Sequence, residues 1–182
     1  MEKKKYELVE NDFIIHEGRK LYRIRALREF SLRYSIIKEG SIGGYVEGYH
    51  NLSQEGSCWI FCNAMVYGNA KVVDNAYVGG SGTEVYGNAV VKDGAMIEAK
   101  VYGNARIEDC AYVHTNAEIY GNAVVKGDAR VYEDSQIYGN AKVKNTGVSN
   151  ISKVYGNAVL KSYYKILGNV NVCDNEIREE DE

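Results

Sequence analysis

The chain repeats one six-residue unit: VYGNAK at 66–71, VYGNAV at 85–90, VYGNAR at 101–106, IYGNAV at 119–124, IYGNAK at 137–142 and VYGNAV at 154–159. The alanine of each unit and the aliphatic residue two positions later lie on the same face of a short strand, because side chains alternate along extended backbone. Glycine and asparagine supply the left-handed backbone that a corner needs. Strands this short bury a face only by stacking on copies of themselves.

A second period fixes the size of one turn. The Tyr-Gly-Asn triplets begin at Tyr67, Tyr86, Tyr102, Tyr120, Tyr138 and Tyr155. Their separations are 19, 16, 18, 18 and 17 residues, so three six-residue units make one coil of a triangular prism, and the triplets predict about six coils. The departures from this spacing fall at one corner, at residues 79–83, 98–100 and 144–153, where we expect loops of variable length.

Residues 1–50 lie outside the repeat and are predicted to form a β-rich cap. Within them, residues 13–15 and 21–27 predict a hairpin that turns at His16-Glu17-Gly18. The cap is expected to cover one end of the rod, because an open strand edge invites the stacking of further chains. Residues 51–172 are predicted to form the prism, and residues 173–182 a loose acidic tail of the same structural domain.

Composition excludes several classes of protein. The 182 residues carry a net charge of -3, which gives no reason to expect a nucleic-acid partner. No apolar run approaches the about 18 residues of a membrane helix. The start MEKKKYELVEND lacks the apolar segment of a signal peptide. The four cysteines match neither a zinc spacing nor a disulfide framework, and we expect free thiols in the cytoplasm.

The repeat resembles that of the hexapeptide-repeat superfamily, whose consensus places an aliphatic residue first and a small residue fifth. The similarity covers about residues 56–172 and implies an all-β fold, a left-handed parallel β-helix. The density of Tyr-Gly-Asn-Ala looks most like the uncharacterised YGNA-repeat proteins of bacteria and phages. More distantly, the chain is similar to the hexapeptide acyltransferases. The resemblance also implies a homo-oligomer, a trimer with its rods parallel.

Stacking turns the repeat into ladders on the outside of the rod. One column contains Asn69, Asn88, Asn104, Asn122, Asn140 and Asn157, whose amides are expected to hydrogen-bond from coil to coil. A second column contains Tyr67, Tyr86, Tyr102, Tyr120, Tyr138 and Tyr155, whose rings are expected to stack. We interpret the tyrosine column as a self-stabilising ridge, with a subunit interface or a ligand surface as the alternatives.

A basic cluster in the cap is the first candidate binding site. Its ligand-binding residues are predicted to be Arg19, Arg23, Arg25, Arg28 and Tyr22. Arginines beside an aromatic ring suit a small anion such as a nucleotide. The alternative is a solvated strand face that pairs with the acidic residues 179–182. Because alanine and valine fill the interior, a pocket would need the cap, a loop such as 79–83 or 144–153, or a neighbouring subunit.

A histidine is the second candidate. Hexapeptide acyltransferases use a histidine general base and bind coenzyme A along the prism. Only His114 of the three histidines falls within the repeat, beside a corner. The resemblance therefore makes His114 the alternative catalytic residue, with coenzyme A or acetyl-CoA as the cofactor. The three metal-binding histidines of the γ-class carbonic anhydrases have no counterpart, so we predict no metal site.

Two functions stay open. The first is a non-catalytic scaffold or binding protein, encoded by a phage or prophage, that takes a small anion or a protein partner and needs no cofactor. The second is a coenzyme-A-dependent acyltransferase. The sequence favours the first, because no long loop accompanies His114 to cover a substrate, and no phosphate-binding loop or nucleophile elbow is present.

Overall fold

The computed structural model describes residues 4–33, 35–161, 165–173 and 177–178. All regular secondary structure in these residues is β-strand. Two strands form an N-terminal hairpin, β1 (Tyr6–His16) and β2 (Arg19–Ala26), and two more form a small antiparallel pair, β3 (Phe30–Leu32) and β4 (Ser35–Ile37). The remaining strands pair in parallel and build a β-helix.

Three parallel sheets form the walls of the β-helix. Wall 1 contains β5 (Ile42–Val46), β7 (Met65–Val66), β10 (Glu84–Val85), β13 (Lys100–Val101), β16 (Glu118–Ile119), β19 (Gln136–Ile137), β22 (Lys153–Val154) and β25 (Asn171–Val172). Wall 2 contains β8 (Lys71–Val72), β11 (Val90–Val91), β14 (Arg106–Ile107), β17 (Val124–Lys126), β20 (Lys142–Lys144), β23 (Val159–Lys161) and β26 (Ile177–Arg178). Wall 3 contains β6 (Trp59–Ile60), β9 (Tyr77–Val78), β12 (Met96–Ile97), β15 (Tyr112–Val113), β18 (Arg130–Val131), β21 (Gly147–Val148) and β24 (Lys165–Ile166).

The β-helix has about seven turns, because walls 2 and 3 are each 7-stranded sheets. The spacing of the Tyr-Gly-Asn triplets predicted about six turns. The extra turn arises because a strand can stack without the triplet, provided that it carries an inward aliphatic residue. Trp59–Ile60 at one end and Lys165–Ile166 at the other both pair with the neighbouring coil in this way.

The predicted inward columns fill the core. The inward aliphatic residues of the repeat, such as Ile119, and the alanines, such as Ala123, have no solvent-exposed surface. Ile119 pairs with Val101 on one side and with Ile137 on the other, so each inward side chain packs between the copies above and below it. This confirms that the interior is a packed core without room for a ligand.

The corners require glycine where coils lie closest. Gly121 has a φ of 70°, and a Cβ placed on it would lie 2.9 Å from the backbone nitrogen of Gly139 in the next coil. A side chain at this position would therefore meet both an unfavourable backbone conformation and a backbone neighbour.

The hairpin turns where the sequence predicted. Glu17 and Gly18 both have positive φ, 48° and 75°, and His16 pairs with Arg19, which is the geometry of a two-residue hairpin loop. β2 then pairs antiparallel with β5, so the hairpin extends wall 1. Its tip reaches the outer face of that wall, where His16 lies 3.3 Å from a Glu84 carboxylate oxygen.

All four cysteines are free thiols, as expected from their spacing. The described residues contain no helix that could span a membrane. The predicted acidic tail falls largely outside the described residues, at 174–176 and 179–182.

Candidate functional site

The tyrosine ladder is present on the outside of the rod. Consecutive rings from Tyr67 to Tyr155 stack with centroids 4.9–5.1 Å apart and planes within 6° of each other. Tyr67 is only 2% exposed, because the hairpin tip covers it: the His16 ring lies edge-on at 5.3 Å. Its hydroxyl donates a hydrogen bond to Glu84 at 2.8 Å. The ladder is therefore continuous, and its first ring is covered by the cap.

The asparagine ladder is present as well. Each side-chain amide nitrogen donates to the amide oxygen of the asparagine in the next coil, from Asn69 through to Asn157, at 2.9–3.0 Å. These five hydrogen bonds run along the rod and satisfy one donor and one acceptor of each of the four inner asparagines. The asparagines are thus engaged with each other.

The ladder predicts a loss of stability at alkaline pH. Burial raises the pKa of Tyr102 to about 12, and burial also raises the pKa of Tyr86 and Tyr120. Unfolded tyrosines ionise near 10.0, so above that pH the unfolded state binds fewer protons and the free energy of unfolding falls. We expect this fall between pH 10 and about 12. Circular dichroism and tyrosinate absorbance should report it together, and Tyr102→Phe should weaken it. Full ionisation of the ladder near pH 10 in a folded protein would contradict the prediction.

Three of the predicted cap arginines face partners within the chain. Arg19 pairs with Glu47 at 3.0 Å, and Arg25 pairs with Glu7. The Arg23 guanidinium stacks on the Tyr45 ring at 3.9 Å and donates to the Tyr45 hydroxyl at 2.6 Å. These contacts fix the three side chains along the strand.

The Arg23 guanidinium also connects the cap to the first coil. It donates to the backbone carbonyls of Gly43 at 3.1 Å and Cys62 at 2.9 Å. The remaining predicted residues lie elsewhere: Arg28 is near the Phe30 ring at 5.9 Å, and Tyr22 lies under the Lys20 ammonium at 4.7 Å. The structure thus spreads the predicted cap site over several local contacts. Residues 179–182, the predicted alternative partner, lie outside the described residues.

A different surface combines a concave shape with charged side chains that form no ion pair with any residue that the structure describes. It is an open groove of about 610 Å³ on the outside of wall 3, which we call the His114 groove. Its lining residues are Cys110, Tyr112, His114, Asp128, Arg130, Tyr132, Asn145, Gly147 and Lys165. Asn145 and Gly147 come from the variable corner at 144–153 that the sequence singled out as a place for a pocket.

Gly147 creates the depression in this groove. Tyr112, Arg130, Gly147 and Lys165 pair in register, so they form one outward column on wall 3. Gly147 leaves that column without a side chain for one coil. Its φ is not in the left-handed region, and the atom nearest to an added Cβ would be Cγ of the flexible Lys165 side chain, at 3.2 Å, with the Lys165 Cα at an ordinary contact distance of 3.7 Å. The backbone therefore does not require glycine here, in contrast to Gly121.

Cations lie on both sides of the depression. Arg130 and Lys165 are exposed and are each one coil from Gly147. Two strand spacings of about 4.8 Å separate their backbones. Asp128 lines the same groove, so the site offers two cations and one carboxylate to a ligand.

An aromatic stack borders the groove. The His114 ring lies 4.4 Å from the Tyr112 ring and 5.3 Å from the Tyr132 ring, nearly parallel to both. The His114 Nδ1 is 2.9 Å from the Thr115 hydroxyl, which leaves Nε2 as the ring nitrogen for any ligand. The stack gives the groove a planar, half-exposed wall.

The sequence identified one residue of this groove, His114, and missed Gly147, Arg130 and Lys165. Gly147 falls in the variable corner at 144–153, so its outward strand position follows only from the register that pairs it with Arg130 and Lys165. Within the described residues, no three histidine, cysteine, aspartate or glutamate side chains come together as metal ligands. A scan of protein-family models and a search of curated proteins both find no match to this chain.

Proposed function

We propose that this protein is a non-catalytic β-helical binding scaffold, and that its His114 groove takes a small planar anion. The observation that carries the proposal is the depression at Gly147 between Arg130 and Lys165. An anionic group placed there meets both cations through charge-assisted hydrogen bonds.

The rest of the groove supports a planar ligand that also donates hydrogen bonds. A ring can stack on the exposed aromatic side chains, as bases do on tyrosine. Asp128 accepts hydrogen bonds from an amino group. A nucleoside monophosphate combines these properties and is a suitable probe.

The resemblance to the YGNA-repeat proteins supports a phage or bacterial scaffold, and the superfamily resemblance supports a homotrimer. In a trimer with parallel rods, a neighbouring subunit would add a second side to an open groove such as this one. The predicted cap site, centred on Arg23, is the other place for the anion in this proposal.

Protection of a cysteine tests the site directly. Cys110 is exposed and lines the groove, whereas Cys62 is exposed and lies outside it. Adenosine monophosphate should slow the alkylation of Cys110 and leave Cys62 unchanged. A hundredfold excess over the dissociation constant should stabilise the protein by about 2.7 kcal/mol, which raises Tm by about 5–10 °C.

Variants define the residues involved. Arg130→Gln should weaken binding about tenfold or more, since a charged hydrogen bond contributes about 1.5–3 kcal/mol. Gly147→Leu should abolish protection of Cys110 with little change in Tm. Lys71→Gln, which removes a cation on wall 2, is the matched control for Arg130→Gln and should leave binding unchanged. Two results would overturn the assignment to this groove. The first is that adenosine and inorganic phosphate, each added alone, protect Cys110 equally well. The second is that only Arg23→Ala loses binding of adenosine monophosphate.

The acyltransferase alternative rests on the position of His114 in the groove. A general base must reach the proton that it removes, and Nε2 is free to do so. Acetyl-CoA should then be hydrolysed, or its acetyl group should be transferred to an acceptor amine with release of coenzyme A, and His114→Ala should remove this turnover. If the protein is a binding scaffold, neither the unmodified protein nor His114→Ala should show turnover.

A further inference from the structure

Wall 2 changes its outward residues halfway along the rod. The strands β17, β20 and β23 have three residues, whereas β8, β11 and β14 have two. The third residue of each longer strand is a lysine, and Lys126, Lys144 and Lys161 pair in direct register. A parallel column contains Val124, Lys142 and Val159. We call this part of wall 2, from β17 to β23, the lysine face.

Ion pairs differ between the coil just before the lysine face and three lysines within it. Glu108 lies 2.7 Å from Arg106 and 4.0 Å from Lys92, so these two cations of the earlier coils share a carboxylate. In the part of the chain that the structure describes, Lys126, Lys142 and Lys144 form no ion pair.

This arrangement opposes folding. Lysines in register on neighbouring strands are about 4.8 Å apart at the backbone, and like charges directly opposite each other destabilise a sheet. Val124 and Val159 occupy the same outward column as Lys142, so the fold does not demand lysine in that column. An external anion would relieve the repulsion.

The surface between the lysines is aliphatic. An open groove of about 610 Å³ runs over the lysine face. Val124 and Val159 contribute half-exposed side chains to its floor, and Arg106 and Glu108 of the preceding coil also line it. Among the residues that the structure describes, the lining of this groove contains no aromatic side chain. Single-stranded nucleic acids bind by stacking their bases on aromatic rings, so this floor does not suit them. A polyphosphate would leave the aliphatic floor uncovered.

We propose that the lysine face is a docking site for an extended acidic peptide segment of a partner protein, with glutamate or aspartate residues alternating with aliphatic ones. The acidic side chains pair with Lys126, Lys142 and Lys144, and the aliphatic ones cover Val124 and Val159. A second copy of this wall is disfavoured as the partner, because two faces of the same sign would oppose each other. The site is on a different wall from the His114 groove and does not depend on the proposed function.

Peptide binding tests the proposal. The probe is a blocked peptide of about six residues that alternates Glu and Val, long enough to cross the lysine face at about 3.3 Å per residue. Calorimetric titration should show binding that weakens as salt is raised. A peptide that alternates Glu and Ser should bind more weakly, because it leaves the aliphatic floor exposed.

Charge variants supply the control. The double variant Lys126→Gln/Lys144→Gln should lose affinity about tenfold or more, while Lys126→Arg/Lys144→Arg and Lys71→Gln should keep it. The Gln variant should also have an equal or higher Tm, because it removes repulsion. Three results would overturn the proposal: unchanged affinity of the Gln variant, tighter binding of an oligothymidylate of equal charge, or a lower Tm that shows a structural role for the lysines.

Discussion

Replacing Ile119 with alanine should lower the free energy of unfolding by about 2–5 kcal/mol. Ile119 is fully buried between Val101 and Ile137, and the coils above and below hold the wall in place. The removed atoms therefore leave a cavity that the surrounding side chains fill only in part. Guanidinium unfolding followed by circular dichroism measures the effect.

The matched control is Ile151→Ala. Ile151 is 55% exposed, so the same chemical change there should alter stability by no more than about 0.5 kcal/mol. Similar losses at the two positions would contradict the assignment of Ile119 to a packed core. A small loss at both would mean that the inward column tolerates truncation.

Gly121→Ala should be as severe, for a different reason. Its φ of 70° costs a residue with a side chain about 1–2 kcal/mol. The new Cβ would also lie 2.9 Å from the Gly139 nitrogen and 3.0 Å from its oxygen. Overpacking of this kind costs about 1–3 kcal/mol, so the expected total loss is roughly 2–5 kcal/mol. Chemical unfolding at constant pH measures it.

Gly18→Ala separates the two contributions. Gly18 has a φ of 75°, and no atom lies within 4 Å of an added Cβ. Gly18→Ala should therefore lose only the stability that the unfavourable φ costs, without a loss from overpacking. The difference between the two variants reports the contact between coils, and equal losses would show that the corner relaxes to accept a methyl group.

The sequence predicted the prism because its information is local and repeated. Ile119 and Ala123 are buried as their spacing indicated, since a three-residue strand leaves only one choice of inward face. The stacked tyrosines and hydrogen-bonded asparagines follow from the same period. Repetition at a fixed spacing makes each of these inferences independent of distant parts of the chain.

Lys5 shows what the sequence could not reveal. It belongs to a charged start that predicts exposure, yet it is 1% exposed. Its ammonium donates to the carbonyls of Glu55 at 3.1 Å and Cys58 at 3.0 Å, and lies 3.2 Å from the Cys58 sulfur. Burial lowers the pKa of Lys5 and raises that of the Cys58 thiol. These partners are about fifty positions away in sequence, and no pattern near Lys5 indicates them.

The depression at Gly147 in the His114 groove escaped prediction for a related reason. A glycine in a chain rich in corner glycines gives no sign that it stands on a wall. Only the register that pairs Gly147 with Arg130 and Lys165 shows that a side chain is absent from a column and that cations lie beside the gap. That register depends on the length of the preceding loop, which varies among the coils.

The three walls share one interior but have separate exteriors. On the parallel strands the inward residue stabilises the stack, while the outward surface carries the tyrosine ladder, the lysine face and the cation-flanked glycine on different walls or corners. Mutations on one outer surface therefore leave both the core and the other two surfaces intact. Such a molecule can acquire, exchange or lose a binding partner on one wall during evolution while its fold stays the same. The outward sequence of each wall can therefore evolve at its own rate.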